Sequence, residues 1–290
     1  MPSSSSSSAQ AARLRLGGRL RALREESGLN GLTFAREAGW KDSTNVSQVE
    51  LGKRVITAEH VKLWCQVCGA SEGVRASLLA EQANVANMWL TYEQLNRGGL
   101  KAAQESVREK YERLKLLRVY QSKSFPGLLQ SREYLREILT GVWDEQAVEA
   151  DDREADIAAA VAERIDRQSV LKRPGKRFVF VVEEIVLHYR TITAKTHRAQ
   201  LAHLLDVMRL PSVSLGVIPM DADRRGIRPR ETFIITDDRL VNVELVSGYL
   251  SLTDPAEVGK YLAVWETLFG LAVHGDACAE LIEDALTELR

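Results

Sequence analysis

The chain has 290 residues, a length that predicts about two domains. With 45% hydrophobic and 27% charged residues it has the composition of a globular protein, and no apolar run approaches the roughly 20 residues that a membrane span needs. Its three cysteines are too few and odd in number for a disulfide framework, which favours a reducing cytoplasm.

Charge is unevenly distributed along the chain. The net charge is −1, yet residues 11–80 hold 11 Lys/Arg against 7 Asp/Glu, so this segment carries +4 and the remainder −5. A basic N-terminal segment followed by an acidic remainder is typical of a DNA-binding domain attached to a second domain, because neutralisation of phosphates supplies much of the affinity for DNA. Chance asymmetry is the alternative explanation.

The first residues form a Ser-rich tract without the apolar core of a signal peptide, so residues 1–12 are predicted to be a disordered lead. Residues 13–86 then carry start and stop signals for five short helices. The second helix is capped by Asn30, the third starts at Asp42 or Ser43, and Thr57 and Ser71 cap the fourth and fifth. This segment is predicted to be a compact all-α domain.

The pattern then changes twice. Residues 87–173 stay mostly helical and are predicted to be a helical connector, with the stretch 143–152 acidic and loose. From 174 to 290, β-branched runs at 178–182, 213–218, 232–236 and 240–245 predict strands among three helices. This last segment is predicted to be an α/β or α+β domain with a small mixed sheet.

The most informative stretch runs from Gly39 to Arg54. Small polar residues that suit contacts with DNA bases alternate there with Val46, Val49 and Leu51, which are expected to pack inward. With Leu20 at its start, the longer segment 20–54 resembles the phage-repressor-like (Xre-type) helix-turn-helix. That resemblance implies that the third helix of the domain, residues 43–51, lies in the major groove and reads bases.

The resemblance also implies roles for individual residues. Arg24 on the first helix is expected to pair with Glu50 and hold the reading helix at its angle. Base-edge contacts are expected from Ser43, Thr44 and Gln48, with Asp42 a further candidate, because an amide fork suits adenine and hydroxyls are less selective. The expected contacts with phosphates, which orient the protein without specifying sequence, come from Lys41, Asn45, Ser47, Lys53 and Arg54.

Two positions depart from the Xre-type pattern. The family commonly has Gln at the start of the second helix of the domain, where this chain has Gly31. The turn from Gly39 to Val46 is also one residue longer than usual, which leaves two registers open for residues 42–45.

A second resemblance covers the rest of the chain. Residues 124–130, 164–168 and 213–219 together resemble the long C-terminal domain of a group of actinobacterial helix-turn-helix regulators, which are similar to antitoxin-like, WhiJ-type proteins. The resemblance implies a small acidic partner protein encoded nearby. The domain at 174–290 is therefore expected to sense a ligand, bind a partner or mediate dimerisation.

Arginines supply the candidate contacts for such a ligand or partner. Two of them share one helix face beside a glutamine, and two more lie in a basic loop between strands: Arg164, Arg167, Gln168, Arg228 and Arg230. Bidentate arginines suit an acidic ligand or peptide. The alternative for each residue is an ordinary surface salt bridge or a solvated loop.

Catalytic and metal-binding alternatives have weaker support. Cys65 and Cys68 form a single C-x-x-C pair, whereas a structural zinc site needs four ligands, so they are expected to be small core residues. The five histidines are scattered; Glu183 and His188 could be adjacent in space, but a carboxylate near a histidine is more often a structural pair. No phosphate-binding loop, nucleophile elbow or metalloprotease pattern is present.

The sequence therefore predicts a cytoplasmic, nucleoid-associated transcription regulator that needs no cofactor or metal and is not an enzyme. It is expected to bind a double-stranded DNA operator as a homodimer, because one short reading helix contacts too few base pairs for useful specificity. The alternatives are an antitoxin-like protein whose main role is to bind a partner, and an enzyme activity in the C-terminal domain.

Overall fold

The computed structural model describes residues 8–91, 111–145, 152–246 and 248–289. Its backbone contacts divide the chain into two compact units, Met1–Leu90 and Thr91–Arg290. Among the described helices, none has the length and apolar character that crossing a membrane requires.

Within its described residues, the first unit consists of five helices and the beginning of a short strand. The elements are α1 (Ser8–Glu26), α2 (Gly31–Glu37), α3 (Ser43–Glu50), α4 (Ala58–Val67), α5 (Glu72–Asn87) and β1 (Trp89–Thr91). The predicted disordered lead 1–12 is wrong for residues 8–12, which extend α1 because Ala12 is buried there and gains from packing. Residues 1–7 of that prediction lie outside the described part of the chain.

Helix ends in this unit follow the local signals of the sequence. Asn30, Thr57 and Ser71 accept hydrogen bonds from the first-turn backbone N–H groups of α2, α4 and α5. Each of the first four helices is followed, two residues after its last residue, by a glycine with positive φ: Gly28, Gly39, Gly52 and Gly69. In all four, the glycine N–H and the next N–H return to carbonyls of the last helical turn, the Schellman arrangement. Short-range chemistry therefore sets where these helices stop.

The core of the first unit is built around two aromatic residues. The fully buried rings of Phe34 and Trp64 lie 4.2 Å apart, and Trp64 Nε1 donates to the carbonyl of Leu20 at 3.0 Å. Val46 and Val49 of α3 belong to the same buried cluster. The helix expected to read DNA is thus fixed to the domain by its apolar side.

The second unit contains a mixed sheet of seven strands among its described residues. The strands are β2 (Leu116–Gln121), β3 (Arg177–Glu183), β4 (Val213–Ile218), β5 (Phe233–Thr236), β6 (Leu240–Leu245), β7 (Gly248–Leu252) and β8 (Val273–His274). Their spatial order is β7-β6-β5-β2-β3-β4-β8, in which β2, β3 and β4 are parallel and the other pairings are antiparallel. The prediction of an α/β domain with a small mixed sheet is confirmed.

Helices and short 3-10 turns connect these strands. They are the 3-10 turns Gly127–Leu129 and Gln168–Lys172, and the helices α6 (Arg132–Glu145), α7 (Arg153–Arg167), α8 (Ile185–His188), α9 (Ala194–Val207), α10 (Pro255–Leu271) and α11 (Asp276–Glu288). α9 connects the parallel strands β3 and β4, and residues of α9 and α11 share the main core of the unit with those strands. β3, α9 and β4 thus form a strand-helix-strand unit with parallel strands.

The predicted helical connector 87–173 is the main disagreement with the structure. Its residues 116–121 form β2, which pairs with β3 on one side and β5 on the other. Leu117, Val119 and Tyr120 are buried there. In the sequence the strand is a short apolar run, and the periodicity of such a run does not distinguish a strand from a buried helix. Residues 92–110 and 146–151 lie outside the described part, whereas 143–145, predicted to be loose, are helical in α6.

Three glutamines, of which Gln130 and Gln200 are buried, hold the segment that follows β2. Gln200 is fully buried, donates to the carbonyl of Leu129 at 2.7 Å and accepts from Ser131 N at 2.7 Å. Gln130 donates to the carbonyl of Phe125 at 2.6 Å, and Gln168 donates to that of Gln130 at 2.7 Å. These bonds pair buried backbone groups that no sheet or helix satisfies.

Candidate nucleic-acid interface

Helix α3 has one buried face and one exposed face. Val46 and Val49 are 1% and 3% exposed, whereas Thr44, Ser47 and Gln48 face solvent. Leu51, expected to pack inward, is instead 44% exposed, because it lies one turn after Ser47 and Gln48 on the same side. The exposed face is therefore mainly polar, with one apolar residue at its C-terminal end.

The start of α3 settles the register that the longer turn had left open. Asp42 is the N-cap and accepts from Thr44 N at 2.8 Å, so Ser43 is the first helical residue. Hydrogen bonds from the hydroxyl and backbone of Thr44 hold the pKa of Asp42 below its ordinary value. A carboxylate thus stands at the exposed entry to α3, where it repels a phosphate and can accept from a base amino group.

The exit from α3 brings two cations to the surface. Gly52 has a φ of +62°, and a Cβ built on it would lie 2.9 Å from Leu14 N, so both the turn and the close approach of α1 require glycine. The N–H groups of Lys53 and Arg54 both return to the carbonyl of Gln48. Lys53 is exposed, while the exposed Arg54 guanidinium donates to Oδ1 of Asn45. Asn45 and Arg54, both predicted phosphate contacts, therefore act on each other in the free protein.

A buried ion pair braces α3 against α1, as the resemblance implied. Arg24 Nε and Nη2 donate to the two carboxylate oxygens of Glu50 at 2.6 and 3.0 Å, and Nη1 donates to the carbonyl of Leu29 at 2.7 Å. Each side chain is 9% exposed. The hydrogen bonds to Glu50 raise the pKa of Arg24 despite its burial. The pair is bidentate and fixes both the position and the orientation of the end of α3.

Gly17 is a positioning residue that the sequence interpretation missed. A Cβ at this buried position would lie 2.5 Å from the carbonyl oxygen of Glu50 and 2.6 Å from that of Val49. The backbone of α1 therefore touches the last turn of α3 directly. The signal was the Gly17-Gly18 pair inside a helical pattern, which suggests a packing reason for at least one of the two glycines.

Gly31, the departure from the Xre-type pattern, lies beside the start of the reading helix. A Cβ at this position would be 3.9 Å from Cβ of Ser43 and 4.0 Å from Cγ1 of Val46. A larger side chain here would therefore project next to the first turn of α3. Because the residue is glycine, no side chain takes the place of the glutamine that the Xre-type pattern has at this position.

The candidate residues of the second unit differ in their surroundings. Arg164 and Arg167 are neighbours on α7, and burial, followed by the charge of Arg167, lowers the pKa of Arg164 to about 10. The Arg167 guanidinium lies 5.3 Å from the ring centre of Tyr111. Gln168 uses its amide to hold the backbone of Gln130. These three side chains make contacts within the fold, which supports the structural alternative for them.

Arg228 and Arg230 are exposed in the loop between β4 and β5. Unlike the arginines of α7, neither has a side-chain partner among the described residues. They are therefore the candidates from the sequence that remain available to an external ligand.

Glu183 and His188 do not pair with each other; each has other partners around β3. Glu183 accepts from the hydroxyl of Tyr120 at 2.6 Å and pairs with Arg224. His188 instead lies 3.7 Å from Glu184 and 3.2 Å from Glu288. Glu183 and His188 are thus each engaged elsewhere.

The cysteines lie in or against the cores. All three are free, Cys65 and Cys278 are buried, and burial raises the pKa of both Cys65 and Cys68. Burial also raises the pKa of Cys278 to about 11. Within the residues that the structure describes, no group of three or more His, Cys, Asp and Glu side chains is arranged to hold a metal ion.

The fold and the exposed face of α3 define the class: a protein with an N-terminal helix-turn-helix DNA-binding domain of the Xre-like kind and a separate α/β unit. A family model described as a helix-turn-helix domain matches residues 15–78. A second, described as a domain of unknown function (DUF5753), matches residues 112–284, more than half of the chain. The chain belongs to the DUF5753 family. No curated protein and no solved structure matches it.

Proposed function

We propose that this protein is a sequence-specific transcription regulator that places α3 in the major groove of a DNA operator. The observation that carries the proposal is the polar face of Thr44, Ser47 and Gln48 on a helix whose opposite face is buried and whose end is braced by an ion pair. A rigid, partly polar helix at the surface of a helix-turn-helix domain is what groove reading needs.

Within this proposal, the roles divide along α3. Ser43, Thr44 and Gln48 read base edges, and Asp42 selects against a phosphate at the helix entry. Lys41, Ser47 and Lys53 hold phosphates, and the Asn45–Arg54 pair presents one guanidinium to the DNA backbone. Since phosphate contacts set register and base contacts set sequence, changes in the two groups have different effects.

The proposed active form is a homodimer on an operator with two half-sites. A single eight-residue helix contacts too few base pairs for genomic specificity, and two such helices about 34 Å apart read successive turns of one groove face. We place the protein on chromosomal DNA in the cytoplasm. The resemblance to actinobacterial, WhiJ-type and antitoxin-like regulators supports this role.

The second unit is proposed to be the regulatory input. It contributes more than half of the chain, and its arginine-bearing loop between β4 and β5 is exposed. A small partner protein or ligand bound there would change the DNA affinity of the dimer. This proposal assigns a binding role and no catalytic role to the unit.

The test is selection of DNA from a random duplex library by the full-length protein, followed by affinity measurement on the enriched sequence. We expect enrichment of a two-fold symmetric site, lost in the variant T44A/S47A/Q48A. The matched control is E59A/K62A/Q66A, which removes three exposed side chains from one face of α4. Absence of any enriched sequence, or equal loss in both variants, would contradict the proposal.

A further inference from the structure

The loop of residues 219–231, which connects β4 to β5, is bonded at several points to the strands and helices around it. Met220 N donates to Glu184 Oε2 at 2.6 Å, and Arg224 pairs with Glu183. Further along, Ser122 Oγ donates to the carbonyl of Arg230 at 3.4 Å, and the hydroxyl of Tyr261 donates to Glu231 at 2.7 Å. Both ends and the middle of the loop are therefore held in place although it lies at the surface.

Two of the arginines in this loop are available for an external partner. Arg225 is bound by Asp223 at 2.5 Å and Arg224 by Glu183. Arg228 and Arg230 are exposed and have no side-chain partner within the described residues. Pro229 between them restricts the backbone, so a ligand that engages both guanidinium groups orders less chain than it would in a free loop.

Exposed apolar side chains adjoin the same loop. Met220, at its start, is 61% exposed and is bonded through its backbone to Glu184, the residue that precedes Ile185. Ile185 and Tyr189 are 37% and 42% exposed and lie four residues apart across α8. Methionine and tyrosine are frequent at adaptable protein interfaces. Met220 N is bonded just beyond the end of β3 and the carbonyl of Arg230 just beyond the end of β2, and these two strands are paired neighbours. The apolar side chains and the two arginines therefore belong to the same edge of the sheet.

We propose that Arg228 and Arg230, with Met220, Ile185 and Tyr189, bind an acidic and partly apolar segment of a partner protein. A DNA backbone fits less well, since a row of phosphates offers no apolar group to the exposed side chains of Met220, Ile185 and Tyr189. Carboxylates of a peptide accept bidentate bonds from the arginines, and its apolar residues cover Met220. The regulatory meaning of this contact rests on the proposed function; the contact itself does not.

Fluorescence anisotropy with three labelled peptides tests this surface on the full-length protein. In the first peptide Glu alternates with Leu; the second replaces Leu by Ser and the third replaces Glu by Lys. We expect the first to bind best, the third not to bind, and added salt to weaken binding. In R228E/R230E the affinity should fall about tenfold or more. K172E/R209E, which makes the same change in net charge at exposed sites elsewhere, should bind like the wild type.

The outcomes separate this proposal from the proposed function. Unchanged peptide affinity in R228E/R230E, or no binding of the first peptide by the wild type, overturns the proposal that this surface binds an acidic peptide segment. So does a loss of affinity for random duplex DNA in that variant, which would make the loop a DNA contact. Failure to select an operator, with peptide binding intact, would overturn the proposed function alone. R228Q/R230Q, checked by circular dichroism, guards against misfolding and should show a smaller loss of the same kind.

Discussion

Gln48 is the side chain on which sequence selectivity is expected to depend most. It is exposed in the second turn of α3, and its amide can donate to and accept from adenine at once. Gln48→Ala should remove about 1–3 kcal/mol of discrimination at one base position and leave binding to random DNA nearly unchanged. Competition of the selected operator against single-base variants measures this, and a uniform loss over all sequences would contradict the base-reading role.

Lys53 is expected to act in the opposite way. It is exposed just beyond α3, where its ammonium group suits a phosphate. Lys53→Ala should weaken binding to every duplex alike and reduce the slope of log affinity against log salt concentration by about 0.9. Titrations at several salt concentrations test this prediction. Lys62→Ala, on the exposed face of α4, is the control and should leave the slope unchanged.

The ion pair between Arg24 and Glu50 should matter for stability because its charges are buried. Arg24→Ala leaves a carboxylate 9% exposed without its partner, and we expect a loss of about 3–5 kcal/mol in the free energy of unfolding. The apolar double variant R24M/E50L should recover most of that loss, since neither charge is then left unpaired. Urea unfolding measures both, and a double variant no more stable than Arg24→Ala would show that the bidentate geometry itself is required.

At the scale of elements, the contact of α1 with α3 sets the angle of the reading helix. Gly17→Ala places a methyl group against the backbone carbonyls of Val49 and Glu50, so it should destabilise the domain by about 1–3 kcal/mol although alanine favours helices. Gly18→Ala is the matched control, because a Cβ there meets nothing within 4 Å and should stabilise by up to about 1 kcal/mol. Thermal unfolding of the two variants should shift in opposite directions; a shift in the same direction would show that the two helices separate easily.

Helices whose ends are set by neighbouring residues could be predicted from the sequence, whereas strands that depend on pairing with distant strands could not. α4 runs from Ala58 to Val67 as the Thr57 cap and the Gly69 stop predicted, because each signal acts within one turn. β2 was missed because its stability comes from β3 and β5, which lie about 60 and 115 residues further along. The two-residue β8 likewise depends on a distant partner, since it pairs with Gly216 and Val217 of β4.

For the whole molecule, the proposed dimer makes a geometric prediction. Nuclease footprinting on the selected operator should protect two half-sites whose centres lie about 10 base pairs apart or a multiple of that turn. Sedimentation of the complex should give two chains per duplex. One protected half-site, occupied by one chain, would contradict the dimer and require specificity to come from a single domain.

The candidate site residues also divide at this scale. Spacing along one helix indicated that Arg164 and Arg167 are neighbours, and contacts within the fold support the structural alternative for Arg167 and Gln168. Exposure leaves Arg228 and Arg230 as the residues free to meet a partner. Sequence gives the residue type and spacing, whereas availability depends on what else the fold brings near.

By itself, the sequence determined the five helices of the first unit, their caps and the polar face of α3, because backbone capping and helical periodicity act over a few residues. Only the tertiary structure decided that residues 116–121 form a strand in the middle of the sheet, that Leu51 is exposed and that Gly17 touches α3. These features depend on contacts between residues far apart in the chain, and a local sequence pattern does not predict the free energy of such contacts.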